Sequence, residues 1–361
     1  MRPAAALIFT WLWVLVACSP VEPTYQWKLP PGFPEPDVPA DNPMSDAKVA
    51  LGRKLFYDPN LSANQGQACA SCHQQAFAFA QPTAVAVGST GELHRRNSLA
   101  LVNVAYNATL TWANPKLTKL EQQLLIPLFG EHPIELGINS HDTEVLARFS
   151  GDDYAPLFKA AFGDAEASFE RIVMALASFV RSLVSFDSPF DRYAYQMQDD
   201  ALSESAKRGM ALFFSEQLEC HHCHGGFNFS QSSRHAEQTL MLRPFHNTGL
   251  YDEDDRGAYP KSDQGLYEVT GQLRDMGNFR APTLRNVARS APYMHDGSVK
   301  TLSEVIELYA AGGRSQGQDN PHKSVFIKGF VMSEEQKQDL LAFLHSLTDD
   351  NFLTNPQHAQ P

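Results

Sequence analysis

Two short stretches decide how this chain reads: Cys69-Ala70-Ser71-Cys72-His73 and Cys220-His221-His222-Cys223-His224. Each runs Cys, two residues, Cys, His, the attachment signature of a c-type haem. The spacing has a chemical reason. Each thiol adds to one haem vinyl group, and the two-residue gap matches the distance between the vinyls. The histidine follows at once, so its ring turns under the macrocycle and binds iron as the proximal ligand. A thioredoxin-type site has no use for a trailing histidine twice over, and a zinc site built from both pairs leaves both histidines unexplained. A disulfide within either pair closes a strained small loop. The motifs therefore imply two covalent c-type haems, one held by Cys69, Cys72 and His73, the other by Cys220, Cys223 and His224.

The rest of the chain agrees with a folded, exported protein. Its 361 residues suffice for two domains. With 43% hydrophobic and 19% charged residues, disordered and collagen-like classes are excluded. A net charge of −12 and a pI near 5.5 argue against nucleic acid, which needs basic patches, and weakly permit a basic protein partner. Residues 1–17 read as an export signal, with Arg2 at the start and an apolar core over Leu7–Val16 too short to span a bilayer. Covalent haem attachment takes place outside the cytoplasm, so the expected location is the periplasm. Leu15-Val16-Ala17-Cys18 resembles a bacterial lipoprotein cleavage box, after which Cys18 becomes an acylated N-terminus; the rival reading is an ordinary signal with an incidental cysteine. No other stretch has the length and apolarity of a membrane helix, which leaves a lipid anchor as the expected membrane contact.

Residues 18–44 are proline-rich, with eight prolines between 20 and 43, and read as an extended strap. A helix is expected from the N-cap Ser45 through Asp46–Phe56, and a second over Ser203–Phe214 with nearly the same text. Gly52-Arg53-Lys54-Leu55-Phe56 and Gly209-Met210-Ala211-Leu212-Phe213 share a G-x-x-L-F pattern, each followed within about twenty residues by a haem motif. Ser168–Phe186 has the 3.6-residue periodicity of an amphipathic helix, residues 187–200 read as the interdomain link, and Thr301–Ala311 opens with a capping box and closes at Gly312-Gly313. The last helix starts at Ser333. Strand signals are few. The expected fold is mainly α: two cytochrome c-like haem domains, 45–190 and 191–350, with long loops and the haems near the domain interface.

The order of motifs resembles the bacterial dihaem cytochrome c peroxidase/MauG superfamily over about residues 45–350. Beyond the haem signatures, the resemblance rests on Arg96-Asn97-Ser98, Leu120-Glu121-Gln122-Gln123 with Pro127, Pro133-Ile134-Glu135, Ala281-Pro282-Thr283-Leu284-Arg285-Asn286-Val287 and Ala291–Ser298. Within it, Trp27–Pro34, Asp41–Ser45 and Leu110–Pro115 look like the MauG-like enzymes found with methanobactin gene clusters. Those enzymes use hydrogen peroxide to oxidise a tryptophan of an exported partner, copper-binding in the studied type, to kynurenine.

The resemblance implies a role for particular residues. The N-terminal haem is the peroxide site, open opposite His73. Some relatives close that face with a histidine about sixteen residues on; Ala84–Ser89 has none, and His94 is the nearest candidate. Glu135 matches the distal acid–base group, with Glu131 as its rival because two extra residues lie between Pro127 and Pro133. Gln123 orients peroxide or water, and Trp112 is the electron relay between the haems. Tyr309 falls at the sixth-ligand position of the second haem, where MauG-type enzymes have tyrosine and electron-accepting peroxidases methionine; Met276, Met294 and Met332 are the rival ligands. A hard phenolate favours a high-valent dihaem state, a thioether the ferrous one. Asn97 and the carbonyls of Ser290 and Pro292 match an interdomain calcium site. Leu218 departs from the family: MauG has tryptophan there, on the route to its protein substrate. Three functions compete: peroxide-driven oxidation of a partner protein, peroxide reduction with electrons from a cytochrome or cupredoxin, and non-catalytic electron transfer.

Overall fold

A computed structural model describes residues 25–361, so the export segment and Cys18 lie outside the described residues. The described chain is helical, its β-pairing confined to isolated bridges such as Val87 with Leu93 and His246 with Phe279. No described helix is long and apolar enough to cross a membrane.

Two helix crossings of the same design organise the chain. In the first, Asp46–Tyr57, capped by the Ser45 hydroxyl, packs across Phe169–Ser182. Leu51, Leu55 and Phe56 meet Ile172, Leu176 and Phe179, all fully buried. In the second, Glu204–Phe213, capped by Ser203, crosses Glu334–Ser346, capped by Ser333. The G-x-x-L-F repeat marks the two crossing points. A Cβ on Gly52 would lie 1.9 Å from the Ala175 carbonyl oxygen and 2.9 Å from Phe179 Cβ; on Gly209 it would lie 1.9 Å from the Asp339 oxygen and 2.9 Å from Phe343 Cβ. Glycine is required because backbone touches backbone there.

A second repeat closes each crossing. Leu101-Val102-Asn103-Val104-Ala105 and Leu284-Arg285-Asn286-Val287-Ala288 both place asparagine in the left-handed region, at φ 55° and 59°. The Asn103 backbone N–H donates to Leu183 O and that of Asn286 to Leu347 O, so each asparagine takes up a carbonyl at the end of its crossing's second helix. The first of these helices stops at Ser182, earlier than its apolar text. Ser185 N–H donates to Asn103 Oδ1 and its hydroxyl to Asp349, which hold the chain extended. Within 187–200, expected as the link, Pro189–Gln196 is a helix with a Ser188–Asp191 capping box. Its Asp191 forms a fully buried ion pair with Arg285 at 2.8 Å.

Three ties join the halves. The strap from residue 25 is extended as expected; Phe33 packs against Phe186 and Tyr195, and Pro34 O accepts from the Tyr106 hydroxyl. Trp112 sits between the halves: its indole N–H donates to Asn97 O at 2.8 Å, and its own carbonyl accepts from Arg280 N–H at 2.7 Å. The C-terminal tail returns to the first half, burying Phe352 and Leu353 in its core and taking hydrogen bonds from Arg53 and Tyr57.

Candidate functional site

The motif cysteines sit on one-turn helices, Cys69–Cys72 and His221–His224, the latter with Cys220 at its N-cap. Helical spacing puts the cysteines and the following histidine on one side of each turn. All four thiols are free. Burial pushes Cys69 and Cys220 up to about 12, and Cys72 and Cys223 up to about 11. Neutral thiols against apolar walls are the opposite of the electropositive surroundings that make thiolates for zinc. Each histidine is turned by a backbone carbonyl: His73 Nδ1 to Phe79 O at 2.7 Å, His224 Nδ1 to Pro282 O at 3.1 Å. Burial lowers both, His224 to about 4. A neutral imidazole with Nδ1 engaged presents Nε2 to a metal.

Beside the second turn opens a cavity of about 1350 Å³, mouth included. Cys220, Cys223 and His224 line it together with Tyr309, Met294 and Leu218. Phe213, Leu284, Val287 and Leu344 make its walls apolar. Tyr309 comes from the Leu302–Ala310 helix, capped by Thr301 and Glu304. Burial raises its phenol above the usual value, and the nearby thiols Cys223 and Cys220 raise it further. Of the rival methionines, Met294 lines the cavity, Met276 is buried beside Trp112, and Met332 packs on the second core. Leu218 is buried and carries no aromatic ring on this flank.

Two further residues lining the cavity escaped the sequence reading. Arg280 is buried, its guanidinium lowered to about 10 by desolvation, and its Nη1 has no partner. A buried cation with one arm free beside an apolar slot needs an anion, and a haem propionate is one that fits. His295, stacked on Phe279 at 3.7 Å, is lowered to about 4 by burial. The signal for Arg280 was a charge inside the otherwise uncharged run from Gly277 to Leu284.

Around the first turn, Glu135 is half-buried, and desolvation pushes it up to about 7, into the range of a working acid–base group. It lies close enough to raise Cys69 and Cys72 in turn. Glu131, its rival, is exposed and accepts from Asn139. The segment without a distal histidine supports Glu135 from behind. Ser89 N–H donates to Glu135 O at 2.8 Å, and Gly88 presses on Ile134 O so closely that a Cβ would lie 1.8 Å from it. Gln123, at the end of the short Leu120–Gln123 helix, has a buried Oε1 with no partner. His94 lies on the Val87–Leu93 turn, near enough to His73 to lower it.

At the boundary, Asn97 N–H donates to His295 O at 2.7 Å, which joins Asn97 to the turn carrying Ser290 and Pro292. The Asn97 amide donates to Thr83 O and Ala84 O. That fixes its nitrogen and leaves Oδ1 as the oxygen a hard cation would take.

Two such turns, each with an oriented histidine in an apolar setting, define a helical protein that binds two haems. The di-haem cytochrome c peroxidase model matches residues 46–200. The methylamine utilization protein MauG of Methylophilus methylotrophus is 34% identical over 327 residues, 90% of this chain and 88% of that protein. Cytochrome-c peroxidase IdrP1 of Pseudomonas sp. strain SCT is 35% identical, over 88% of this chain and 86% of the relative. The crystal structure of a MauG-like protein associated with microbial copper homeostasis superposes with a TM-score of 0.90 at 45% identity, over 93% of this chain and 99% of that one. The chain belongs to the di-haem cytochrome c peroxidase/MauG family, and is a peroxidase-type oxidoreductase with two haem cofactors.

Proposed function

We propose that this chain is an exported MauG-type oxidase that takes oxidising equivalents from hydrogen peroxide and passes them to a partner protein, oxidising a tryptophan of an exported, copper-binding protein to kynurenine. The observation that carries this reading is Tyr309 in one cavity with Cys220, Cys223 and His224. The four motif thiols would hold the haems covalently, and His73 and His224 would each offer a ring nitrogen to the iron. Once bound, the haems supply the redox chemistry that splits the O–O bond. The chain's own residues do the rest. Glu135 would take a proton from peroxide and give it back, and a group poised near pH 7 can do both. Gln123 Oε1 accepts from the peroxide hydroxyl and orients it. Tyr309 would supply a hard oxygen, anionic once a bound metal displaces its proton, which favours the oxidised metal over the reduced one. Trp112, hydrogen-bonded into both halves, is the relay between them. Asn97 and the Ser290 and Pro292 carbonyls would hold calcium at the boundary. Residues 45–190 and 191–350 act as the two haem domains, delivered to the periplasm by residues 1–17, with Cys18 as the anchoring point if lipid is attached.

One observation favours a second reading: His94 lies within electrostatic reach of His73. If His94 closes the first haem, the chain is a conventional peroxidase fed by a cytochrome or cupredoxin. Presenting the holoprotein with peroxide and, separately, an exported copper-binding partner or a reduced small cytochrome decides between them. Tryptophan oxidation in the partner by mass spectrometry, with negligible cytochrome turnover, supports the oxidase. Fast cytochrome turnover after half-reduction, with the partner unmodified, contradicts it.

A further inference from the structure

The second haem-attachment turn carries a group of side chains that haem binding does not use. Cys220, Cys223 and His224 share one side of the turn, which leaves His221 and His222 on the other. Glu216, from the bend after the Glu204–Phe213 helix, reaches over them with both oxygens: Oε1 is 3.5 Å from His221 Nε2, and Oε2 is 3.5 Å from His222 Nε2. Their ligand atoms all lie within 4.8 Å of one another. Around a metal with bonds of about 2.0–2.1 Å, neighbouring ligand atoms stand about 3.4 Å apart in a tetrahedron and about 2.9 Å at right angles. The two 3.5 Å spacings run through different oxygens of one exposed carboxylate, so turning that side chain reaches either arrangement, the right-angled one that Cu(II) prefers included. The rings are held in place from outside: Phe326 stacks on His222 at 4.4 Å and 13°, and the imidazoles lie 4.2 Å apart. Glu219 Oε2 also meets His222 Nε2 at 2.7 Å, but its other oxygen pairs with Lys328 at 2.6 Å, which makes Glu216 the carboxylate free to ligate. The Glu216 side chain is 78% exposed, so the remaining coordination positions face solvent.

We propose that Glu216, His221 and His222 form a labile site for a late first-row divalent ion, Cu(II) in preference to Zn(II), on the outer rim of the second haem-attachment turn. Two imidazoles and a carboxylate are borderline ligands, and the order of stabilities places Cu(II) highest on such a set. The site is independent of the reading of Tyr309. An ion there adds two positive charges to the turn bearing Cys220, Cys223 and His224. Positive charge stabilises the reduced iron, so occupancy raises the reduction potential of the second haem and leaves the first unmoved.

The test uses chelator-treated holoprotein with both haems in place. Cu(II) titration followed by EPR should give one axial copper signal per chain with coupling to two nitrogens, and Zn(II) calorimetry should give the same stoichiometry. His221→Gln with His222→Gln should weaken binding about a hundredfold or more, at least what loss of a ligand's supporting partner costs. The two positions are the free ones of the attachment motif, so haem content, read by the pyridine haemochrome, should stay at two per chain. Glu216→Gln lies outside the motif and gives the same answer if the histidine variant fails to mature. Potentiometry with Zn(II) should raise one midpoint in the wild type and neither in Glu216→Gln. Absence of stoichiometric binding, or affinity unchanged in the variants, overturns the site; binding with both midpoints unmoved overturns its coupling to the haem.

Discussion

Replacing Glu135 by glutamine should make the protein more stable at alkaline pH while removing its reaction with peroxide. Desolvation raises the carboxyl from its ordinary 4.5 to about 7. In the folded state the group therefore holds its proton across a range where the unfolded chain has released it. Stability falls as pH rises from the unfolded value through the folded one, because the native state then keeps an anion it would rather protonate. The rise from 4.5 to about 7 corresponds to about 3 kcal/mol, an upper figure for a half-buried group. Denaturant unfolding of wild-type and Glu135→Gln holoprotein at pH 4 and pH 8 isolates the effect. The two should differ little in ionisation energy at pH 4, and the variant should gain up to about 3 kcal/mol on the wild type by pH 8. In the same samples, the second-order rate with peroxide should climb with pH through about 7 in the wild type and fall about a hundredfold or more in the variant. Parallel stability profiles in the two proteins would refute the buried-carboxylate argument, and undiminished peroxide reactivity would refute the assignment of Glu135.

Three further outcomes follow from the packing. Gly209→Ala forces a Cβ to 1.9 Å from Asp339 O; the crossing must open, at about 1–3 kcal/mol or more, read as a lower unfolding midpoint. Asp191→Ala leaves the Arg285 guanidinium buried and unpaired, which should cost about 3–5 kcal/mol; a loss below about 1 kcal/mol would mean the arginine finds another partner. Trp112→Phe deletes the 2.8 Å bond to Asn97 O, worth about 1 kcal/mol. It also deletes an oxidisable ring, so the two ferric EPR signals should respond to peroxide separately rather than together.

Local signals in the sequence carried far and then stopped for physical reasons. The haem turns, the serine and threonine caps and the glycine repeat are short-range patterns, and each appears where the text put it. The L-x-N-V-A repeat around Asn103 and Asn286 was equally visible in the text but passed unread, because its meaning lies in left-handed caps on distant helices. The helix beginning at Phe169 ends at Ser182 although apolar text runs on to Phe186, because Ser185 is claimed by Asn103 and Asp349. Nothing local marks the return of Phe352 and Leu353 into the first core, and the lone charge of Arg280 in an uncharged run does not tell that its Nη1 is left without a partner. Sequence sets Glu135 apart from Glu131 only by its place in Pro133-Ile134-Glu135, and the difference in burial is visible only in the fold.

The central claim is that Tyr309 makes the second haem an oxidised partner of the first rather than an electron entry point. The most direct test is to add hydrogen peroxide to the diferric holoprotein without any donor and follow both haems by EPR and near-infrared absorption. The account predicts that both ferric signals fall together, that a near-infrared band from charge shared between the irons appears and decays slowly, and that Tyr309→Phe abolishes the band. No reaction until the protein is half-reduced, followed by rapid turnover with a reduced cytochrome, would contradict it.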